Sequence, residues 1–152
     1  MGAPKYVGIF LTPRSRQELL RLVPPTHPVV HADHVTLAID PTEEQLNTVE
    51  LGSIVRFELL KAHDVNGAQA VTVRVPSGLA TLMGRRTPHV TISTDAGVPP
   101  ARSNDAVKRP GDHVHGTLTG ILDVPKRLHP VHTQRFPLAS RVAAAWLIRK
   151  MR

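Results

Sequence analysis

The sequence predicts an α+β fold, and three observations carry that expectation. Most periodic segments alternate apolar and polar residues, as in "HADHVTLAID" (31–40) and "SIVRFELLKAHDV" (53–65), the two-residue period of half-buried strands. Helical spacing of apolar residues shows in only a few places, first at Leu19, Leu20 and Val23. The dipeptide Asn66-Gly67 stands between two β-rich runs, and Asn-Gly favours the positive φ values that a tight hairpin needs. Strands joined by hairpins with a few interspersed helices give an α+β order, unlike the regular strand–helix alternation of a parallel sheet.

Taken in order, "KYVGIFLT" (5–12) reads as a strand. "PRSRQELLRLV" (13–23) reads as a short amphipathic helix, with Pro13 at its first position, where a missing N–H costs nothing. "PPTHP" (24–28) breaks the chain before the strand that holds "HVTL". In "DPTEEQLNTVE" (40–50), Asp40 is the expected N-cap, Pro41 the first helical residue, and Glu43 and Glu44 complement the helix dipole. The hairpin runs 53–65 and 68–76 follow. "SGLATLMGRR" (77–86) is a short helix or turn, and "PHVTISTDAG" (88–97) repeats the first H-V-T strand. "DAGVPPARSNDAVKRPGD" (95–112) is a loop with room for one helical turn in "SNDAVKR". "HVHGTLTGILDV" (113–124) is a strand with glycine irregularities. "LASRVAAAWLIRKMR" (138–152) is a helix that turns Val142, Trp146 and Leu147 or Ile148 toward the core. The two H-V-T strands occupy equivalent places, as an internal pseudo-repeat would.

At 152 residues, one domain spanning 1–152 is expected, with a core of Val, Leu, Ile and Ala because aromatics make up only 3%. The absence of Cys excludes disulfides, thiolate zinc sites and Cys nucleophiles, and fits a reducing compartment. No apolar run approaches the ~18 residues of a membrane helix, and "MGAPKYVGIF" lacks the pattern of a signal peptide. A soluble, cytoplasmic monomer with no membrane partner is the expectation. The net charge of +7, with nine His beside it, favours a polyanionic partner, most commonly nucleic acid. With so few aromatic rings, a pocket gripping one phosphate and one or two nucleotides fits better than a long stacking platform.

The chemistry is carried by a repeated tetrapeptide. On a strand, residues i and i+2 point to one side, so His34 shares a face with Thr36, and His89 with Thr91. The alternating apolar residues, Val35, Leu37 and Ile39 on the first strand, are expected to pack from behind. If the two strands meet, two imidazoles and two hydroxyls converge. One His can take a proton while the other gives one, since both forms are accessible near neutral pH. The hydroxyls can donate to phosphate oxygens. From composition, H-V-T followed by an aliphatic residue should occur roughly 0.03 times, and it occurs twice. A third H-x-T, at His115, lacks the aliphatic second residue.

These residues resemble the 2H phosphoesterase superfamily, whose hallmark is a pair of H-x-T-x motifs with mostly aliphatic x. The matches are "HVTL" (34–37) and "HVTI" (89–92), and the superfamily includes 2′,3′-cyclic phosphodiesterases, 2′-5′ RNA ligase-like proteins and the cyclic phosphodiesterase modules of tRNA ligases. The resemblance implies a two-lobed α+β fold, with antiparallel sheets around a central cleft and one motif on each lobe. It implies that His34 and His89 form an acid/base pair, that Thr36 and Thr91 grip the phosphate, and that no metal or other cofactor is needed. The implied reaction is hydrolysis of a 2′,3′-cyclic phosphate at an RNA end or on a nucleotide. The motifs are 55 residues apart, which is short for the superfamily, so its substrate contacts are not carried over. Two other activities use the same residues: a non-catalytic RNA- or nucleotide-binding module, and 2′-5′ ligation or its reversal.

Around the motifs, Tyr6 is a candidate for stacking on a base or for packing at the rim. Arg85 and Arg86 precede the second motif and are candidates for a flanking phosphate, while Lys5 is a candidate substrate contact like the loop residues that follow. Arg102, Ser103 and Asn104 lie in the loop after it and are candidates to close over substrate. His31, His113 and His115 lack the Asp, Glu or Cys spacing of a zinc site, so no metal ligands are expected. The basic end, Arg149–Arg152, reads as a helix C-terminus favourable to the dipole.

Overall fold

A computed structural model describes residues 3–125 of the chain. The expected helix over 138–152, with Trp146 and Arg149–Arg152, lies outside the described residues.

The first strand, β1 (Tyr6–Leu11), is flanked on both sides, which its near-total burial reflects. On one side runs β3 (His34–Ile39) and on the other β8 (Thr117–Asp123), both antiparallel to it. Next to β8 lies β4 (Ile54–Val65), which forms a hairpin with β5 (Ala68–Arg74). The sixth member, β6 (His89–Thr94), pairs with β5 and, through Val35 and Val90, with β3. The ring β1-β3-β6-β5-β4-β8 therefore closes into a six-stranded antiparallel barrel. Two short strands extend it: β2 (Val29–Val30) on β6 and β7 (Asp112–His113) on β4. The α+β class is as expected. The two separate sheets of a two-lobed molecule are not what the pairing describes, because one sheet runs round the whole core. Register shifts at Val7/Gly8, Leu59/Lys61 and Gln69/Ala70 supply the local bending that lets so small a sheet close.

Inside the barrel stand alternate residues of every strand, among them Val7, Ile9, Val35, Leu37, Phe57, Val71, Val73, Val90, Ile92 and Leu118, each at most 2% exposed. Full burial of such a side chain contributes ~1.5–3 kcal/mol, so aliphatic packing carries the stability that scarce aromatics cannot. The strand β3 departs from strict alternation. Across the register shift in β1, Gly8 faces Thr36 and Val7 faces Ala38, so Leu37 has no partner of its own. Beyond it the phase slips, and Ile39 stands 54% exposed on the outer face instead of on the expected inner one.

The helices lie outside the barrel. In α1 (Pro13–Leu22), Thr12 caps the start by accepting from the Ser15 N–H at 3.2 Å, and Ser15 Oγ accepts from the Thr119 N–H at 2.8 Å, docking the helix on β8. The second helix, α2 (Glu43–Asn47), begins later than expected. Thr42, not Asp40, is the N-cap, through a reciprocal capping box with Gln45. Asp40 is used instead to turn the chain out of β3, at φ 46°. Asn66 and Gly67 both have positive φ, 52° and 81°, as the hairpin reading requires. The expected strand over 113–124 divides into β7 and β8, so His113 and His115 do not share one strand face; both are exposed.

The segment before β2 is pinned by polar contacts. Gln69 accepts from the Thr26 N–H and donates to the Pro24 carbonyl, while the His27 ring bridges Asp64 and Asp95, both at 2.7 Å. The hydrogen bond to Asp64 is the largest cause that raises the His27 pKa, with Asp95 adding to it against a desolvation penalty. A raised pKa means that this clamp contributes fully below the ordinary histidine value of ~6.5 and fades as pH climbs through the folded value. His27→Gln should therefore lower stability by about 0.5–1 kcal/mol at pH 6, the range for a partly exposed ion pair. The deficit should shrink by pH 9, as read from urea unfolding midpoints. An equal deficit at both pH values would mean that the ring acts through packing alone.

Candidate active site

The strands β3 and β6 meet at one residue pair, Val35 opposite Val90, with both valines fully buried in the barrel. Because the strands are antiparallel about that pair, the flanking residues on the outer face bring His34 opposite Thr91 and Thr36 opposite His89. The two tetrapeptides are thus arranged about a local pseudo-twofold axis. All four side chains line one cavity of about 290 Å³. Beyond β6 the chain makes a 3-10 turn at Pro100–Arg102 and a short helix, which with its forerunner at Ala80–Met83 (α3) we number α4 (Ser103–Ala106). This turn supplies the opposite wall through Pro100, Ala101, Ser103 and Asn104.

His34 is seated on aromatic rings of β1. Its ring stacks on Tyr6 with centroids 4.9 Å apart and an interplanar angle of 25°, and Phe10 is tilted against it at 5.4 Å. Tyr6, Gly8 and Phe10 share the face of β1 on which the His34 ring lies. A Cβ at Gly8 would stand 2.5 Å from the Val35 carbonyl oxygen, so glycine permits the close approach of β1 to β3. Burial, and secondarily the Asp33 carboxylate, push the Tyr6 hydroxyl pKa up.

His89 is held differently. Its Nδ1 donates to the Thr87 carbonyl at 2.8 Å, and its Nε2 lies 3.1 Å from Ser103 Oγ. Ser103 Oγ is also 2.7 Å from Thr91 Oγ1 and 2.8 Å from the Pro100 carbonyl. Burial is the main cause that pushes the His89 pKa down; Arg86 and His63 add to it, and the Thr87 carbonyl opposes it. The lowered pKa favours the neutral ring, and in that form the Thr87 carbonyl takes the proton on Nδ1 and leaves the lone pair on Nε2.

Of the residues singled out from the sequence, His34, Thr36, His89, Thr91, Arg86, Ser103 and Asn104 line the cavity. Tyr6 does not line it and packs under His34, while Arg85 and Arg102 are exposed away from its walls, as are Lys5 and His115. The sequence reading missed His31, Asp33, Ile39, Pro100 and Ala101 as wall residues. His31 and Asp33 had a signal, since they enter the motif strand directly before His34. Ile39 had none, because its outward turn follows from the register shift in β1. Among the described residues, no group of three or more His, Cys, Asp or Glu side chains is arranged to hold a metal ion, and no helix is long and apolar enough to cross a membrane.

No protein-family model matches the sequence, and no curated protein matches it. Among solved structures, the fold is similar to that in a crystal structure of a fungal RNA kinase, at 16% identity and a TM-score of 0.53. The match covers 82% of this chain and 43% of that one, so the chain spans less than half of the kinase. At that identity the likeness is one of fold.

Proposed function

We propose that this protein is a phosphodiesterase of the 2H type that opens 2′,3′-cyclic phosphates, at RNA ends or on nucleotides, by general acid–base catalysis. The observation that carries the reading is the antiparallel pairing of the two H-V-T strands, which gives one cavity two imidazoles and two hydroxyls. The fold shared with a structure described as an RNA kinase supports RNA as the substrate class.

The roles follow from the two histidine environments. His89, neutral with a lone pair on Nε2, takes the proton of an attacking water. A P–O bond to that water forms as the bond from phosphorus to one ribose oxygen breaks. His34, across the cavity, gives its proton to the departing oxygen. Thr36 and Thr91 donate to the non-bridging oxygens, and the Arg86 guanidinium at the cavity wall offsets their charge. The products are a ribose hydroxyl and a phosphate monoester.

The test is a substrate panel followed by phosphorus NMR in EDTA: a nucleoside 2′,3′-cyclic phosphate, an oligonucleotide ending in one, a 3′,5′-cyclic nucleotide and a 2′-5′ linked dinucleotide. Conversion of the first two to monoesters is expected. Inertness of both, with nucleotide binding intact, would favour a binding module, and cleavage of the dinucleotide alone would favour the 2′-5′ activity.

The His89 environment also sets a pH dependence. Its folded pKa lies below the ordinary value, and the base form is the deprotonated one. The acid limb of kcat/KM should therefore have its midpoint below ~6.5, with activity rising as pH climbs through it. A midpoint above that value would contradict the assignment of His89 as the base.

A further inference from the structure

The hydrogen bonds around Ser103 cannot all be made at once with His89 neutral. A serine hydroxyl has one proton and two lone pairs. The Pro100 carbonyl at 2.8 Å can only accept, so in that arrangement it takes the Ser103 proton. The Thr91 hydroxyl at 2.7 Å then donates to Ser103 Oγ. That leaves His89 Nε2, 3.1 Å away, as a required donor, although Nδ1 already donates to Thr87. Every contact is satisfied only when the ring carries both protons. When the ring is neutral, the Ser103 hydroxyl must turn from Pro100 to donate to Nε2.

We propose that Ser103 is a positioning residue for His89, its hydroxyl switching its single proton between the His89 ring and the Pro100 carbonyl as the ring loses and gains a proton. The proposal rests on the reading of His89 as the base. Before reaction, the hydroxyl donates to the single Nε2 lone pair and holds the ring in place; its turn to the Pro100 carbonyl releases that lone pair to a water in the cavity. Once His89 has taken the water proton, Nε2 donates to Ser103 while the hydroxyl stays on Pro100. That ties α4 and the turn before it more firmly over the cavity while the imidazolium persists. Ser103 is 1% exposed, so bulk water does not compete for this role. The switch involves only reorientation of hydrogen bonds, and Ser103 is never itself phosphorylated.

The other charged or titratable groups near His89 are Arg86 on the turn before β6, His63 on β4, His34 on β3, and His31 and Asp33 at the cavity wall. None of them lies between His89 Nε2 and Ser103. Removal of Ser103 therefore isolates its own contribution.

The experiment is a histidine titration by long-range proton–nitrogen NMR on wild-type protein, Ser103→Ala and Ser103→Thr, with steady-state kinetics on a nucleoside 2′,3′-cyclic phosphate. Both forms of the ring lose a partner in Ser103→Ala, but the charge-assisted bond of the doubly protonated ring is the stronger, so the His89 midpoint should fall by at least about 0.5 pH unit, and Ser103→Thr should recover most of it. In kinetics, kcat should fall about tenfold with KM changed less than about twofold. If Ser103→Ala does not fold, Ser103→Cys keeps the volume with a weak donor and should shift the midpoint in the same direction. An unmoved midpoint in a folded variant, or a threonine variant no better than alanine, overturns the proposal. The titration needs no substrate, so it stands or falls apart from the proposed activity.

Discussion

Replacing either His34 or His89 by Ala should lower turnover of a nucleoside 2′,3′-cyclic phosphate by at least ~10²-fold, and by as much as ~10⁴-fold, the range for removing a general acid or base. Substrate affinity should change far less, because Arg86, Thr36, Thr91 and the cavity walls remain. The two single variants should be about equally impaired, since one step uses both groups, and the double variant should be little worse than either. Thr36→Ala and Thr91→Ala each remove one hydrogen bond to phosphate and should cost less, about 1–3 kcal/mol. His115→Ala serves as the control. It carries the third H-x-T but is exposed and away from the cavity, so its turnover should match wild type. Equal losses at His34, His89 and His115 would mean that histidine content was being measured, and the paired mechanism would have to be dropped.

The second large effect is on stability. Among the described residues, Phe57, at 1% exposure, is the largest fully buried side chain and the one aromatic ring among those that fill the barrel interior. Its neighbours are aliphatic residues fixed on strands of a closed sheet, which cannot collapse freely into the space. Phe57→Ala should cost about 3–5 kcal/mol, the range for truncating a core aromatic. For a domain of marginal total stability that is enough to unfold much of the population at 37 °C. The measurement is the urea unfolding midpoint. A loss under about 1 kcal/mol would show that the interior repacks and that closure of the barrel does not hold Phe57 rigidly. Ile54→Ala is the contrast, since Ile54 is 74% exposed and should be near neutral.

Much of this architecture was legible in the sequence, for reasons that differ by element. Strands with clean alternation, such as β4, and turns with committed chemistry, such as Asn66-Gly67, announce themselves through local physics. Pro13 after Thr12 marks the start of α1 for the same reason. The paired tetrapeptides were legible as a repeated pattern on two strands, because residue types and spacing, and not positions in space, carry that signal. Closure of the sheet was not legible, because it depends on register shifts in β1, β4 and β5 that leave no mark on composition. The same shift in β1 hid Ile39, whose local pattern points inward. At α2, Asp40 and Thr42 were both competent caps, and only the reciprocal fit of Gln45 to Thr42 decides between them. Ser103 was a candidate from its loop position, but its contact with His89 was not legible, since it reaches the ring by a chain reversal 14 residues long.

If the proposed function holds, His34, Thr36, His89 and Thr91 together bind one phosphate group. A crystal structure grown in sulfate or phosphate tests it most directly. A tetrahedral anion is expected within hydrogen-bonding distance of both imidazoles and both hydroxyls, beside Arg86. An anion bound elsewhere on the basic surface, with His34 and His89 turned to different sides of the molecule, would contradict it.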